Sequence, residues 1–254
     1  IAHDLCLLGL DVSLVSAVGD DSNGEFLLER CRSLGMDVSR VRVVPGARSS
    51  SYLYITDERG DMQLAVNDMA VCNEISPEYL ESVLPGIQAG ALVLDTNLPV
   101  ESLEFICRSS CIPLYADPVS SVKAMKLRSV MKHLRAIKPN ALEAAALTGQ
   151  TDPELAARAL IDEGVQRVFI SLGTNGMIAA EGSRILRMPS PEANVVNATG
   201  AGDAAMSAIV WADLHGLSLE DSARAAQLAG AITCASEESN APELSRLPGL
   251  LAAE

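Results

Sequence analysis

Short runs of Leu, Val, Ile and Ala recur along this chain between stretches with helical spacing, and no other feature narrows its fold as much. Ala91-Leu-Val-Leu-Asp95, Ile112-Pro-Leu-Tyr-Ala116, Leu134-Arg-Ala-Ile137 and Arg167-Val-Phe-Ile-Ser171 are short and apolar nearly throughout. Strands of that kind are buried on both faces, which is the habit of parallel strands covered by helices. Helical patterns at 77–84, 100–109, 121–131, 140–147 and 153–163 supply the crossovers. A β-rich run at 12–18 and a helix at 21–34 closed by Gly35 begin the series; a weaker hairpin at 177–180 and 184–188 comes late in it. Two helices end it, at 201–214 and 218–236, the second capped by Ser218 with Asp221 three residues on. Aromatics are 3% of a chain that is 48% hydrophobic. The core is therefore aliphatic, which favours an α/β interior over an aromatic-rich β-sandwich.

One segment breaks the alternation. Ser51-Tyr-Leu-Tyr-Ile-Thr56 and Met62-Gln-Leu-Ala-Val-Asn67 flank Asp57-Glu-Arg-Gly-Asp61 in the pattern of a β-hairpin. Two hairpin strands inside an α/β series predict a small sheet standing off the body as a lid. Exposed lid strands would also suit a homodimer.

The net charge of −14, without a Lys/Arg cluster, argues against nucleic acid or an anionic membrane as partner. No apolar run reaches the length of a membrane span. The six cysteines (Cys6, Cys31, Cys72, Cys107, Cys111 and Cys234) show no paired or metal-binding spacing. Scattered thiols fit a reducing compartment, so a cytoplasmic protein is expected. The chain opens on Ile1 in what reads as the middle of an amphipathic helix, so residues upstream are expected.

Polar residues follow each strand: Asp95 and Asn97, then Asp117, then Lys138 and Asn140, then Gly173 and Asn175. In open parallel sheets ligands bind beyond these carboxyl ends. Asn197-Ala-Thr-Gly-Ala-Gly-Asp203 is a Gly-rich turn leading into an apolar helix. Its N–H groups and the helix N-terminus suit an anion such as a transferring phosphoryl group. A carboxylate at Asp203 would be unfavourable there unless it accepted the proton of an attacking hydroxyl. A dinucleotide fingerprint at Gly200-x-Gly202-x-x-Ala205 lacks the acid ending a second strand, and a Walker A loop lacks its Lys-Ser/Thr. A plain helix cap remains open on the local motif alone. Lys138-Pro-Asn140-Ala-Leu-Glu143 reads either as a capping box or as oxygen ligands near Mg²⁺. Ser171-Leu-Gly-Thr-Asn-Gly176 could wrap a nucleotide phosphate or form a turn.

K-P-N-x-x-E, then S-L-G-x-x-G, then N-x-T-G-A-G-D late in the chain resemble the ribokinase-like, PfkB-type sugar and nucleoside kinases, and that order decides for a kinase base at Asp203. The resemblance covers essentially all of residues 1–254 and includes Val18-Gly-Asp-Asp-Ser-Asn-Gly24 and the hairpin. It implies one domain, a three-layer α/β/α sandwich with a β-lid inserted at about 45–70 and the N-terminal strand or strands missing. The family's substrate-binding Asp and Gly-Gly-x-x-x-Asn stretch would precede Ile1. A chain without them would lose sugar contacts and central strands, and a truncated pseudokinase or a module of a fusion protein is the alternative. The implied activity is phosphoryl transfer from ATP to a primary hydroxyl. Asp203 would be the base, with Gly200, Ala201 and Gly202 as anion hole. Lys138, Asn140, Ser171, Gly173, Thr174, Gly176 and Thr199 would lie at the nucleotide, with Asn140 and Glu143 supporting Mg²⁺. A monovalent cation such as K⁺ would sit near 236–240. Asn197 stands where most members have Asp. Lid residues 65–69, Leu94-Asp-Thr-Asn97 and residues 235–242 are similar to the pseudouridine-kinase subgroup. That subgroup phosphorylates the 5′-hydroxyl of pseudouridine; ribose, another nucleoside or a sugar acid are the other acceptors. Ser51, Asn67, Asn97 and Asp117 would contact the substrate, and a pseudouridine-phosphate glycosidase, fused or separate, would be the partner enzyme.

Overall fold

The structure is a computed structural model that describes residues 1–56 and 62–252; the expected hairpin turn at 57–61 lies outside the described residues. In chain order the elements are α1 (Ala2–Leu7), β1 (Ser13–Gly19), α2 (Ser22–Ser33), β2 (Asp37–Val44), β3 (Ser51–Thr56), β4 (Met62–Asp68), α3 (Pro77–Val83), β5 (Leu92–Asp95), α4 (Val100–Ser109), β6 (Leu114–Asp117), α5 (Ser121–Ala124), β7 (Leu134–Ile137), α6 (Ala141–Thr148), α7 (Pro153–Asp162), β8 (Arg167–Ser171), β9 (Met177–Glu181), β10 (Arg184–Met188), α8 (Ala201–Leu214), α9 (Leu219–Cys234) and α10 (Leu247–Ala252). The main sheet runs β10-β9-β8-β7-β6-β5. β5 to β8 are parallel, and the β9–β10 hairpin extends the sheet antiparallel at one edge.

Strand alternation divides the core into two layers. Leu114, Ala116, Ile137, Val168, Ile170, Ile178 and Ala180 face a cluster with Leu103, Ile106, Ala144, Leu147 and Leu160 of α4, α6 and α7. Tyr115, Ala136, Phe169, Met177 and Ala179 face Leu5, Met206, Ile209 and Ala223 of α1, α8 and α9. The expected α/β/α sandwich is therefore present, with strands buried on both faces.

Two segments differ from what the sequence predicts. The helix expected at 121–131 is one α-turn, α5, followed by 3-10 turns at Met125–Leu127 and Met131–His133. Ala124, Leu127, Val130 and Met131 are all buried, an apolar spacing that a continuous α-helix would share. The second difference is β2, a strand that the sequence pattern does not announce. It pairs in parallel with β1 in a separate two-stranded sheet. The unpaired edge of β1 and that of β5 line the same large cavity.

The lid is the two-stranded β3–β4 sheet. Its pairing sets Leu53 opposite Val66 and Ile55 opposite Leu64, so all four lie on one face. They are 57–71% exposed, an open apolar surface. The base of the lid is fixed by the motif Val18-Gly-Asp-Asp-Ser-Asn-Gly24. The Asp21 carboxylate accepts from Gly24 N (2.8 Å), Ser49 N (2.9 Å) and Ser49 Oγ (2.6 Å). These bonds, that of the Ser49 hydroxyl foremost, hold its pKa below the ordinary value. Among the described residues no helix is long and apolar enough to cross a membrane, and all six cysteines are free.

Candidate active site

A cavity of about 1460 Å³ runs along the unpaired edges of β1 and β5 and reaches the carboxyl ends of β5 to β8. Asn97, Asp117, Lys138, Asn140, Glu143, Ser171, Gly200, Gly202 and Asp203 all line it. Parallel pairing explains the gathering, since Asp95 lies opposite Asp117 and Ala116 opposite Ile137. An Asn140–Ser171 bridge continues the row from β7 to β8.

Gly200 caps α8 at φ 87, and a Cβ there would run into the Ser239 backbone. Only glycine lets the turn lie this close to the 236–240 segment. Asp203 follows in the first helical turn and is exposed to the cavity. α8 begins without a side-chain cap, so Asp203 does not serve as a plain helix cap. Ser207 Oγ donates to the Asp203 carbonyl (2.8 Å) and lies 3.1 Å from the Ile1 carbonyl, tying α8 to α1.

Lys138 is buried, and its Nζ lies 3.2 Å from Asp117 Oδ2. A Cβ on Gly202 would be 3.5 Å from the same Nζ, so the ammonium stands directly over the Gly-rich turn. The pair joins a residue expected at the nucleotide to one expected at the substrate. The capping box at α6 is also real: Asn140 N donates to Glu143 Oε2 and Glu143 N to Asn140 Oδ1, both at 2.9 Å. Both residues also line the cavity. Burial raises the pKa of Glu143, Asp117 adds to the rise, and the Asn140 amide and Lys138 oppose it.

Other expected residues lie apart. Gly173, Thr174 and Thr199 are exposed and do not line the cavity, and neither does Ala201. Gly176, at φ 91, packs against Met188 and Pro189 beneath the turn. Ser51 and Asn67 sit on the lid, away from the cavity wall. Pairing of Tyr52 with Asn67 puts Asn67 on the face opposite Ser51, so the two cannot read one acceptor from the same face.

Asn197 has a definite place. Its Oδ1 accepts from Thr199 N (2.9 Å) and its Nδ2 donates to the Glu237 carbonyl (3.1 Å). The amide bridges the Gly-rich turn to 236–240 directly, a bond that a carboxylate could not donate.

At the far end of α8 is a cluster that the sequence did not reveal. Asp213 accepts from Arg135 Nη2 (2.6 Å) and Nε (2.7 Å), from Arg167 Nη1 (3.0 Å) and from the Tyr115 hydroxyl. Burial alone would raise the Asp213 carboxyl; these partners overcome it and hold its pKa low. The cluster anchors the helix that presents Asp203.

The pattern of pfkB family carbohydrate kinases matches residues 1–246. Pseudouridine kinase of Escherichia coli is 36% identical over 253 residues, spanning 96% of this chain and 81% of that protein. An uncharacterized sugar kinase of the same organism is 36% identical over 254 residues, spanning 96% of this chain and 70% of its own length. Among solved structures, a carbohydrate kinase from Agrobacterium tumefaciens matches with TM-score 0.80 at 27% identity, over 99% of this chain and 83% of that one. Ribokinase from Thermotoga maritima matches in fold with TM-score 0.87 at 19% identity, over 100% of this chain and 85% of that one. With the Gly-rich turn, the Lys-Pro-Asn turn and the lid all in place, the chain belongs to the pfkB family of carbohydrate kinases, enzymes that transfer a phosphoryl group to an alcohol.

Proposed function

We propose that this kinase transfers the γ-phosphoryl group of ATP to the 5′-hydroxyl of pseudouridine. The observation that carries the reading is Asp203, exposed on the wall of a cavity that also holds Lys138, Asn140 and Glu143. Asp203 takes the hydroxyl proton, the freed oxygen attacks the γ-phosphorus, and the bond to the bridging oxygen of ADP breaks. The N–H groups of Gly200 and Gly202 and the Lys138 ammonium receive the negative charge that spreads over the phosphoryl oxygens. The Asp117 partner holds the Lys138 side chain aimed at the turn.

A divalent cation fits the donor set. Among the described residues no group of three or more His, Cys, Asp or Glu could hold a metal alone. Mg²⁺ is commonly bound by one or two protein groups, several waters and substrate phosphates. Glu143 and Asn140 would hold that ion's water shell, and the ion would neutralise phosphate charge. The direct Asn197–Glu237 bridge supports activity without a monovalent cation.

Pseudouridine is proposed because the E. coli pseudouridine kinase aligns with nearly the whole chain. The exposed apolar face of the lid supports a second copy covering it. Turnover on pseudouridine, uridine, ribose and adenosine tests the acceptor. A clear preference for pseudouridine is expected; equal or better turnover of ribose would sink that choice in favour of a sugar acceptor.

A further inference from the structure

Among the described residues Val119 is the one non-glycine residue with positive φ, at 63°. A β-branched side chain is strongly disfavoured there, and such strain persists only where the surroundings impose it. The surroundings do impose it. Ser120 N donates to the Pro118 carbonyl two residues back (2.6 Å), closing a γ-turn around Val119. The Pro118 carbonyl also accepts from Thr96 Oγ1 (2.6 Å), and Val119 N donates to Asp117 Oδ1 (3.0 Å). Lys126 Nζ straps the neighbouring strand end through the Thr96 (2.9 Å) and Leu98 (2.8 Å) carbonyls. The result is an apolar side chain, 42% exposed, on the wall of the Asp203 cavity.

Asn97 lines the same cavity, next in the chain to Thr96, whose hydroxyl holds the Pro118 carbonyl. Lys123 Nζ donates to Asn97 Oδ1 at 2.6 Å. An ammonium can only donate, so the amide orientation is fixed and its NH₂ is the group left for a ligand.

We propose that Val119 and the Lys123-oriented Asn97 form the acceptor-recognition wall. Val119 packs on the face of the acceptor's ring, and Asn97 donates to a carbonyl oxygen at the ring's edge. Lys123 acts as a positioning residue, and the class selected is a nucleoside with a carbonyl-bearing base rather than a free sugar. This inference rests on the kinase reading of the cavity.

The test is steady-state kinetics and thermal unfolding of Val119→Gly and Val119→Asn, two residues that accept positive φ. The acceptor KM for pseudouridine should rise about tenfold, the order expected for losing one buried aliphatic contact. The KM for ATP should stay within about twofold, and the melting temperature should not fall, because strain is relieved. Lys123→Met should raise the pseudouridine KM and leave the ribose KM in place, with Lys123→Arg restoring recognition. An unchanged acceptor KM in both Val119 variants, or a parallel rise for ATP, would overturn the proposal while wild-type turnover stood. Absence of phosphoryl transfer by the wild type to any acceptor would overturn the kinase reading as well.

Discussion

Replacing Gly200 by Ala should damage catalysis more than folding, and the size of both effects follows from the turn. At φ 87 a side chain is disfavoured by about 1–2 kcal/mol. The new methyl would lie 2.8 Å from the Ser239 carbonyl carbon and 3.0 Å from its Cβ, with the carbonyl oxygen nearer still. Ordinary carbon contacts are about 3.5–4.0 Å, so the turn and the 236–240 segment must part by about 0.7 Å or more. No rotamer change can relieve a contact with backbone. Together, strain and displacement should cost about 2–4 kcal/mol, lowering the melting temperature of a chain this size by about 10 °C. Asp203 is carried three residues further along the same turn, and a displacement of this order should reduce kcat about 10²-fold. Gly202→Ala is the control: its methyl would meet only Lys138 Nζ at 3.5 Å, an ordinary contact, so its melting temperature should stay within about 2 °C. Differential scanning fluorimetry and a coupled ADP-release assay measure both quantities. Wild-type kcat and melting temperature in Gly200→Ala would refute the close packing of the turn on Ser239.

Asp213→Asn should lower stability by about 1–3 kcal/mol, since it removes the charge facing Arg135 and Arg167 in a part-buried site where Arg167 keeps Glu181. The Asp213 pKa is depressed in the folded state, so its contribution is present at neutral pH and lost as pH falls below about 4. Wild-type melting temperature should therefore drop more steeply on acidification than that of Asp213→Asn, and parallel curves would count against the cluster. Glu143 is shifted the other way, so it loses its charge at a pH above the ordinary carboxylate value of 4.5 as the solution is acidified. The acid limb of kcat/KM for ATP should lie correspondingly high and move to lower pH in Glu143→Gln, which keeps the capping box; a limb unmoved by the substitution would remove Glu143 from the Mg²⁺ role. Asn197→Asp should turn a donated bond into carboxylate facing carbonyl, so its activity should fall and recover with added K⁺. Equal activity of that variant in K⁺ and in a large organic cation would contradict this reading.

The strand series and the catalytic turn were legible because both are local. The strands Leu134–Ile137 and Arg167–Ser171 and the helices Val100–Ser109 and Ala201–Leu214 rest on patterns a few residues long, and the structure reproduces those ranges. β2 was not legible: Val38, Val41 and Val43 form only a broken alternation, interrupted by Arg40 and Arg42. Nor were the 3-10 turns after α5, since the buried set Ala124, Leu127, Val130 and Met131 has spacings that an α-helix would use as well. Asp213 gave no signal at all. Its partners stand 46 to 98 residues away, and an acid near a helix end reads as surface. Within the site, Asp117 and Lys138 were visible one at a time, whereas their ion pair is a product of the sheet register. Ser51 and Asn67 show the converse: adjacent in a sequence argument, they fall on opposite faces of one hairpin.

The central claim is that Asp203 accepts the proton of the attacking hydroxyl. Its most direct measurement is single-turnover phosphoryl transfer by Asp203→Asn, with ATP binding determined separately by calorimetry. Asn keeps the size of the side chain and the helix start but cannot take the proton. The transfer rate should fall about 10²–10⁴-fold while the Kd for ATP changes by no more than a few-fold. Transfer at the wild-type rate by Asp203→Asn with ATP bound would show that the proton goes elsewhere.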